Sequence, residues 1–356
     1  MPPVWQIRVK NPAGTTVAIL DRWTRLRVTP TVNAPGGYEL RLVDPAGDIG
    51  DLFALDGQLE FWRRHAEHGI DWRKEFEALH LDEDRWTDSD GVRRYLSRGY
   101  GYATLLGRRI IAAAAGSAEG EKSGPAETVT KEYVEEQAGP TAGARALAGL
   151  TVEADAGGGN AIALARSYKN LLSVCQEIAE IGGGDFSFVG SGPATFQFRW
   201  HAGQLGTDRR AEVRFALSYG NMGEPQLTAR HASEANAVLV AGQGEGAERV
   251  TTWRTDATLI AASPWGRREE FVDARDASVT SILEARGDAR LEERRPVRGL
   301  TFKVLQTPGT VYGRDYFLGD LVRGEYAGVV ADQKIEGLVF TVDDRQERLE
   351  VTLRDA

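Results

Sequence analysis

Short runs in which apolar and polar residues alternate recur along this chain, and they constrain its class more tightly than any single motif does. The clearest run closes the chain: Leu349, Val351 and Leu353 are apolar, while Arg348, Glu350, Thr352 and Arg354 between them are polar. A period of two sends successive side chains to opposite faces, which is the pattern of a half-buried strand. Leu338-Val339-Phe340-Thr341-Val342 precedes it, and Asp343-Asp344-Arg345-Gln346 supplies a turn, because a short Asp side chain bonds its own backbone. The C-terminus is therefore expected to be a closing hairpin. Each apolar residue it buries contributes roughly 1.5–3 kcal/mol.

The N-terminal hundred residues carry the same pattern. Trp5–Val9, Val17–Leu20, Trp23–Val28, Gly37–Leu42, Gly57–Arg63 and Glu75–Leu81 read as strands, with turns at Asn11–Gly14 and Asn33–Gly37 and a short helix near Ile49–Leu55. Short strands at this spacing predict a small barrel or sandwich over residues 1–111. Residues 112–194 follow as a linker and helix-containing domain. Within it Ala112–Thr128 and Ala142–Gly159 read as linker and loop, being rich in Ala and Gly. A helix is expected over Glu127–Ala138, stopped by Gly139-Pro140. A second is expected over Ser167–Ile181, where Leu171, Val174, Cys175, Ile178 and Ile181 form one apolar stripe and Gly182-Gly183-Gly184 ends it.

Strands resume at Phe186–Val189, Thr195–Trp200 and Glu212–Leu217. A second barrel is expected from residues 195–236 and 297–356. The intervening 237–296 reads as an α+β insertion: strands at Val238–Ala241 and Arg249–Arg254, then a helix over Asp276–Arg295 broken at Gly287. The fold class is thus mainly β with α+β insertions, built on two small β-barrels of similar fold.

A chain of 356 residues with 42% hydrophobic and 27% charged residues is globular and long enough for several domains, burying about three quarters of its extended surface. Its net charge of −9 argues against a nucleic-acid-binding surface, which is basic. One cysteine, Cys175, excludes an internal disulfide and a Cys-based zinc site. No apolar run reaches membrane-spanning length, and the first residues have neither the basic nor the apolar region of a secretory signal. Synthesis in a cytoplasm without classical export is the expectation.

The residues that invite a chemical reading have plainer ones. Gly242-Gln243-Gly244-Glu245-Gly246 leads into a strand, whereas a dinucleotide site needs its glycines to open a helix, so a hairpin turn is expected. His65, His68 and His80 lie near one another in sequence, but His65 and His68 lack a well-placed third ligand and read as a solvated pair, and His201 and His231 are isolated. Glu269-Glu270 with Asp273, and Asp343-Asp344, are neighbouring acids of the kind common on solvated faces; a glycosidase needs two carboxyls facing one sugar. No Ser stands in a Gly-x-Ser-x-Gly elbow, and Cys175 on an apolar stripe is a small hydrophobe. The pairs Arg63-Arg64, Arg93-Arg94, Arg108-Arg109, Arg209-Arg210 and Arg294-Arg295 are scattered among acids, which suits subunit interfaces better than a phosphate track. No catalytic, cofactor or metal residue is assigned, no cofactor is expected, and the chain reads as a non-enzyme.

Four patches resemble the phage tail hub family, the baseplate hub and tail-tip proteins of tailed phages and related injection particles. They are Gly99–Ile111 with its Leu-Leu-x-Arg-Arg, the helix patch Leu171–Gly184, Gly206–Met222 with Gly-x-Asp-Arg and Gly-Asn, and Tyr312–Val322 with Leu318-Gly319-Asp320-Leu321-Val322. In that family the last motif marks a turn, here Gly319 and Asp320, leading into a buried strand, here Leu321 and Val322. The resemblance implies a structural virion protein at the distal end of the tail, a homotrimer joining a sixfold tail tube to a threefold tip or spike. Its expected partners are itself, tail tube or distal tail proteins, tape-measure protein and tip, spike or fibre proteins. DNA meets it only in transit, through a lumen expected to be neutral or acidic. Two like barrels in each of three copies would present six to the tube, with Arg25, Arg27, Glu39, Arg41, Arg348, Glu350 and Arg354 supplying contacts. The alternatives are a tail-associated cell-wall hydrolase and a host-surface carbohydrate binder, the second requiring exposed aromatic residues.

Overall fold

A computed structural model describes residues 2–113, 116–117, 120–343 and 346–356. Strand makes up 46% of the chain and helix 20%, so the fold is mainly β. The strands of the N-terminal part are β1 (Val4–Lys10), β2 (Thr16–Leu20), β3 (Arg25–Thr29), β4 (Gly37–Val43), β5 (Gln58–His65), β6 (Ile70–Thr87) and β7 (Arg93–Gly101). Next come β8 (Glu121–Pro125), helix α1 (Ala126–Gln137), β9 (Leu150–Val152), β10 (Ala161–Ala165), helix α2 (Leu171–Gly182), β11 (Gly184–Gly192), β12 (Thr195–Ala202) and β13 (Arg214–Ala216). The remainder is β14 (Met222–Arg230), β15 (Ala237–Ala241), β16 (Thr251–Thr255), α3 (Ala257–Ala262), β17 (Glu269–Asp273), α4 (Thr280–Glu293), β18 (Val297–Val304), β19 (Leu321–Tyr326), β20 (Val329–Asp343) and β21 (Gln346–Asp355).

The chain packs as two compact units, Met1–Gly223 with Lys303–Ala356, and Glu224–Phe302. In the first, eleven strands form one sheet in the order β13-β19-β20-β3-β4-β7-β6-β5-β1-β2, with β21 along β20. Among the described residues no sheet closes into a barrel, which corrects the expectation of two barrels of similar fold. The strands assigned to those two regions share a sheet, with Val28 opposite Phe340 and Leu26 opposite Val342. The reason is the length of β20. It takes β21 along one edge and β19 followed by β3 along the other, and a period of two reports which face a residue occupies but not which strand lies beside it. The closing hairpin forms as expected, Asp343 opposite Gln346, and Asp344 and Arg345 of its turn lie outside the described residues.

A second core of this unit sets α1 and α2 against β11 and β12: Val129, Tyr133, Val134, Leu171, Val174, Cys175, Ile178, Phe186, Phe198 and Trp200 are buried together. Helix α2 begins at Leu171, the first residue of its apolar stripe and later than the expected Ser167, because Asn170 is extended and its side chain accepts from Ser173 N; Gly183 ends it at φ 64°. Part of the segment expected as linker forms a strand pair instead, β8 with β10, while residues 114, 115, 118 and 119 lie outside the described part. The expected loop 142–159 likewise contains β9, parallel to β12.

In the second unit β15 lies between β16, antiparallel, and β17, parallel. Val238, Val240, Ala274, Ala277 and Leu283 form its core. The Gly242–Gly246 segment connects β15 to β16 as a hairpin, with Gly242 N bonded to Val250 O at 2.8 Å. Helix α4 runs unbroken through Gly287, contrary to the expected break. A Cβ there would lie 2.4 Å from Arg254 Cγ and 3.0 Å from Val240 Cγ2, so this glycine allows close approach of helix to sheet.

Candidate functional site

The four hub-like patches come together in pairs, all within the first unit. Gly99–Ile111 meets the start of α2: Asn170 Nδ2 donates to Gly107 O at 2.7 Å, Leu171 N to Arg109 O at 2.9 Å and Ile111 N to Lys169 O at 2.8 Å. Two of its glycines are sterically required, since a Cβ at Gly99 would sit 1.7 Å from Leu79 O and one at Gly101 2.2 Å from Pro35 O. Gly206–Met222 meets Tyr312–Val322 through the buried carboxylate of Asp320. Oδ1 accepts from Thr207 N at 2.7 Å, and Oδ2 accepts from Arg209 Nε and Phe317 N, both at 2.8 Å. Leu321 N and O bond Thr207 O and Arg209 N at 3.1 and 2.9 Å. Arg210 closes the edge by bonding Asp208 and Asp332, and its hydrogen bonds hold Asp208 down to about 2. Asn221 ties Ala216 N and Arg214 O into the same junction.

A second polar centre fastens the C-terminal strand to the N-terminal half of the sheet. Glu347 on β21 receives Arg63 of β5 bidentately, at 2.8 Å on each oxygen, and Trp5 Nε1 of β1 at 2.6 Å. Burial opposes the charge of Arg63, but its bonds to Glu347 outweigh it and the guanidinium pKa rises. Sequence reading missed this pair, although a signal was present. Glu347 shares the parity of Leu349, Val351 and Leu353, and Arg63 shares that of Leu59 and Phe61, so each is a charge in an apolar register. Such a charge needs a buried partner.

The residues expected to make subunit contacts lie on one face of one sheet. Arg25 stands opposite Arg41 and Arg27 opposite Glu39; Thr341 stands opposite both Arg27 and Arg348; Glu39 continues to Arg98 and Asp82. Arg41 bonds Glu39 at 2.8 Å, and Arg354 lies 3.4 Å from Glu336. Glu350, opposite Val339, belongs to the same face. These residues form a continuous mixed-charge surface within one subunit, not two separate contact sets.

The groups with a possible chemical reading are engaged elsewhere. Glu270 bonds Arg294 at 2.7 and 3.0 Å, Asp273 bonds Arg249, and Glu269 lies 3.7 Å from Arg267. Asp343 pairs with Arg25 at 3.7 Å. His65 and His68 pack edge to face with ring centres 4.4 Å apart, and both are half-buried. His80 is buried with Ser97 and Tyr38; His201 bonds Ser187 at 2.9 Å; His231 bonds Glu234 at 2.6 Å. Burial lowers the His80 and His201 pKa values and raises that of the Cys175 thiol. No group of three or more metal-ligating side chains occurs among the described residues. None of the described helices is long and apolar enough to cross a membrane.

The second unit has an exposed aromatic surface that was not foreseen. Trp253, Leu239 and Phe271 form one cross-strand row, on the face opposite to the one carrying Val238 and Val240. Trp253 is 42% exposed, Phe271 52% and Trp265, between α3 and β17, 91%. Arg267 and Arg249 lie over the Trp253 and Phe271 rings at 5.3 and 5.7 Å. The sequence signal was an aromatic residue flanked by polar ones within a short strand, as in Thr251-Thr252-Trp253-Arg254-Thr255.

Residues 5–353 match the family described as Siphovirus ReqiPepy6 Gp37-like protein. No curated protein sequence matches the chain. Among solved structures, the tail protein from Neisseria meningitidis MC58 is similar over 100% of this chain and 97% of its own, at 13% identity and a TM-score of 0.62. The 43 kDa tail protein of prophage MuSo2 from Shewanella oneidensis is similar over 100% and 98%, at 12% identity and a TM-score of 0.61. The prophage tail protein gp18 from Listeria monocytogenes EGD-e is similar over 98% and 94%, at 11% identity and a TM-score of 0.57. At these identities the likeness is one of fold.

Proposed function

The chain belongs to the Siphovirus ReqiPepy6 Gp37-like family and has the fold of phage tail proteins, and from that premise we propose that it is a structural subunit of the tail, acting as its distal hub. Three copies form a closed ring that joins the sixfold tail tube to a threefold tip or spike. Closed cyclic symmetry gives the assembly a defined size and prevents runaway polymerisation. The observation that carries this reading is the extent of the likeness: the fold of a tail protein accounts for 100% of this chain and 97% of the relative. A non-enzymatic role fits that kinship.

The mixed-charge face bearing Arg25, Arg27, Glu39, Arg41, Arg348 and Glu350 is the contact surface between copies or with the tube, and a permanent contact there buries on the order of 2,000 Å² or more. Tape-measure protein and tip, spike or fibre proteins are its other partners. DNA passes through the lumen. A lumen wall low in Lys and Arg lets DNA leave, because every phosphate contact releases counterions and tightens binding, and the net charge of −9 agrees with such a wall. Immunogold labelling of intact particles tests the placement. Label at the tail's distal end is the expected result; label on the head, or none on the particle, would refute it.

The exposed Trp253, Trp265 and Phe271 favour a second reading, a host-surface carbohydrate binder. Flat exposed rings stack on apolar sugar faces, and the neighbouring Arg267 can bond hydroxyls. Pull-down on host cell-wall polysaccharide, lost in Trp253→Ala, is the result this reading requires.

A further inference from the structure

In the first unit one buried guanidinium faces two buried carboxyls and is bound to only one of them. Glu347 has donors on both oxygens, from Arg63 and Trp5, and is satisfied as a carboxylate. Glu75 lies in the same cluster on β6, its side chain 1% exposed and its Oε2 3.8 Å from Arg73 Nε. That oxygen takes the Tyr312 hydroxyl at 2.8 Å. Glu75 Oε1 has no hydrogen-bond partner, and neither does the buried Nη1 of Arg63.

We propose that Glu75 is a pH-sensitive latch on the C-terminal strand, neutral while Glu347 holds Arg63 and a competitor for Arg63 once it is ionised. A bare carboxylate oxygen away from water is costly, whereas a neutral carboxyl can donate its proton to the Tyr312 oxygen at the same 2.8 Å contact. The charged and titratable groups facing Glu75 are Arg73 on its own strand, Tyr312 from the segment before β19, Arg63 on β5 and Glu347 on β21. Burial raises the Glu75 pKa, and Arg73, the Tyr312 hydrogen bond and Arg63 do not bring it back to the ordinary value. Arg73, at 3.8 Å, is the cation already paired with Glu75; Arg63 is the second one that an ionised Glu75 would draw on, and its unpartnered Nη1 is the free donor. Any turn of Arg63 toward Glu75 weakens its hold on Glu347. Strand β21 pairs with β20 alone, so the bonds of Glu347 to Arg63 and to Trp5 fasten it to the N-terminal strands, and the Arg63 pair is the charged part of that fastening.

The direction of the pH effect follows from the raised value. The stabilisation linked to the Glu75 proton is full below the unfolded carboxyl pKa and is lost as pH rises through the folded one.

Carbon-13 NMR of the full chain labelled at glutamate carboxyls tests this, with Glu75→Gln identifying the resonance. Should Glu75→Gln fail to fold, Tyr312→Phe identifies it instead, by moving that titration alone. The expected result is a Glu75 carboxyl that titrates well above the other glutamates. Amide exchange in β21 should accelerate several-fold over the same pH range beyond the intrinsic base-catalysed rise, and Glu75→Gln should remove the excess. Titration of Glu75 with the bulk of the glutamates would overturn the proposal, as would β21 exchange indifferent to Glu75 ionisation.

Discussion

Asp320 and Asp288 are both aspartates held by an arginine, but they lie in different units and do different work. Asp320 is buried and binds Arg209 at 2.8 Å while also taking the Thr207 and Phe317 amides, so one side chain joins two distant stretches of chain. Asp288 is exposed, bonds Arg254 at 2.7 and 3.0 Å, and connects α4 to the strand beneath it. The contrast extends to the units as wholes. The first encloses an extended apolar core and fastens it with buried charges such as Arg63–Glu347 and Lys334–Asp185. Among its described residues the second has a core cluster of five, and its ion pairs lie mostly at the surface, the buried carboxylate of Glu234 paired with Arg268 being the exception. Buried polar contacts tolerate little displacement, because breaking one leaves a bare charge. The first unit is thus built to hold a geometry, while the second can change its surface at small energetic cost.

The most severe test of this contrast is Asp320→Ala, which strands the Arg209 charge and two amides. It should destabilise the first unit by roughly 3–5 kcal/mol in chemical denaturation; a loss below about 1 kcal/mol would put the junction on a par with a surface pair. Leu283→Ala in the small core should cost roughly 2–5 kcal/mol, with increased amide exchange confined to Glu224–Phe302. Exchange spreading equally through both units would show that they do not respond separately.

Acid tests the buried pairs of the first unit. Burial raises the Glu127 pKa, but Lys131 and the Gly158 and Ala156 amides outweigh it and leave the value lowered. Glu60 behaves alike, with Lys10 and Trp62 as its donors. A lowered folded pKa gives stability that is present above the unfolded carboxylate value, about 4, and is lost as pH falls through the folded one. Exchange protection around α1 and β5 should therefore decline below that pH, and protection that persists unchanged there would contradict the assignment. Trp265→Ser should have the smallest effect, within about 0.5 kcal/mol, since the ring is 91% exposed; a larger loss would mean that the aromatic surface supports the fold.

The parts of this architecture that depend on local pattern were legible. The closing hairpin followed from alternation through Leu353, and α2 from the stripe of Leu171, Val174, Cys175 and Ile178. Gly287 misled because a glycine in a helix signals either a break or a close approach, and only the position of Arg254 and Val240 distinguishes the two. The merging of two strand-rich regions into one sheet was hidden because β20 meets β3 across some three hundred residues of sequence. The Asp320 junction was half visible: its two patches could be quoted, but not their meeting. The fastening of Glu347 by Arg63 could have been found as a charge in an apolar register on each strand.

The central claim, that this chain is a hub subunit of the tail, is tested most directly by reconstruction of the assembled particle at a resolution that traces its strands. The account predicts three copies in a closed ring at the distal end of the tail tube, with the face bearing Arg25, Arg27, Glu39 and Arg348 in contact with a neighbour and no basic lining to the lumen. Six copies at that level, or a lumen lined mainly by Lys and Arg, would contradict it.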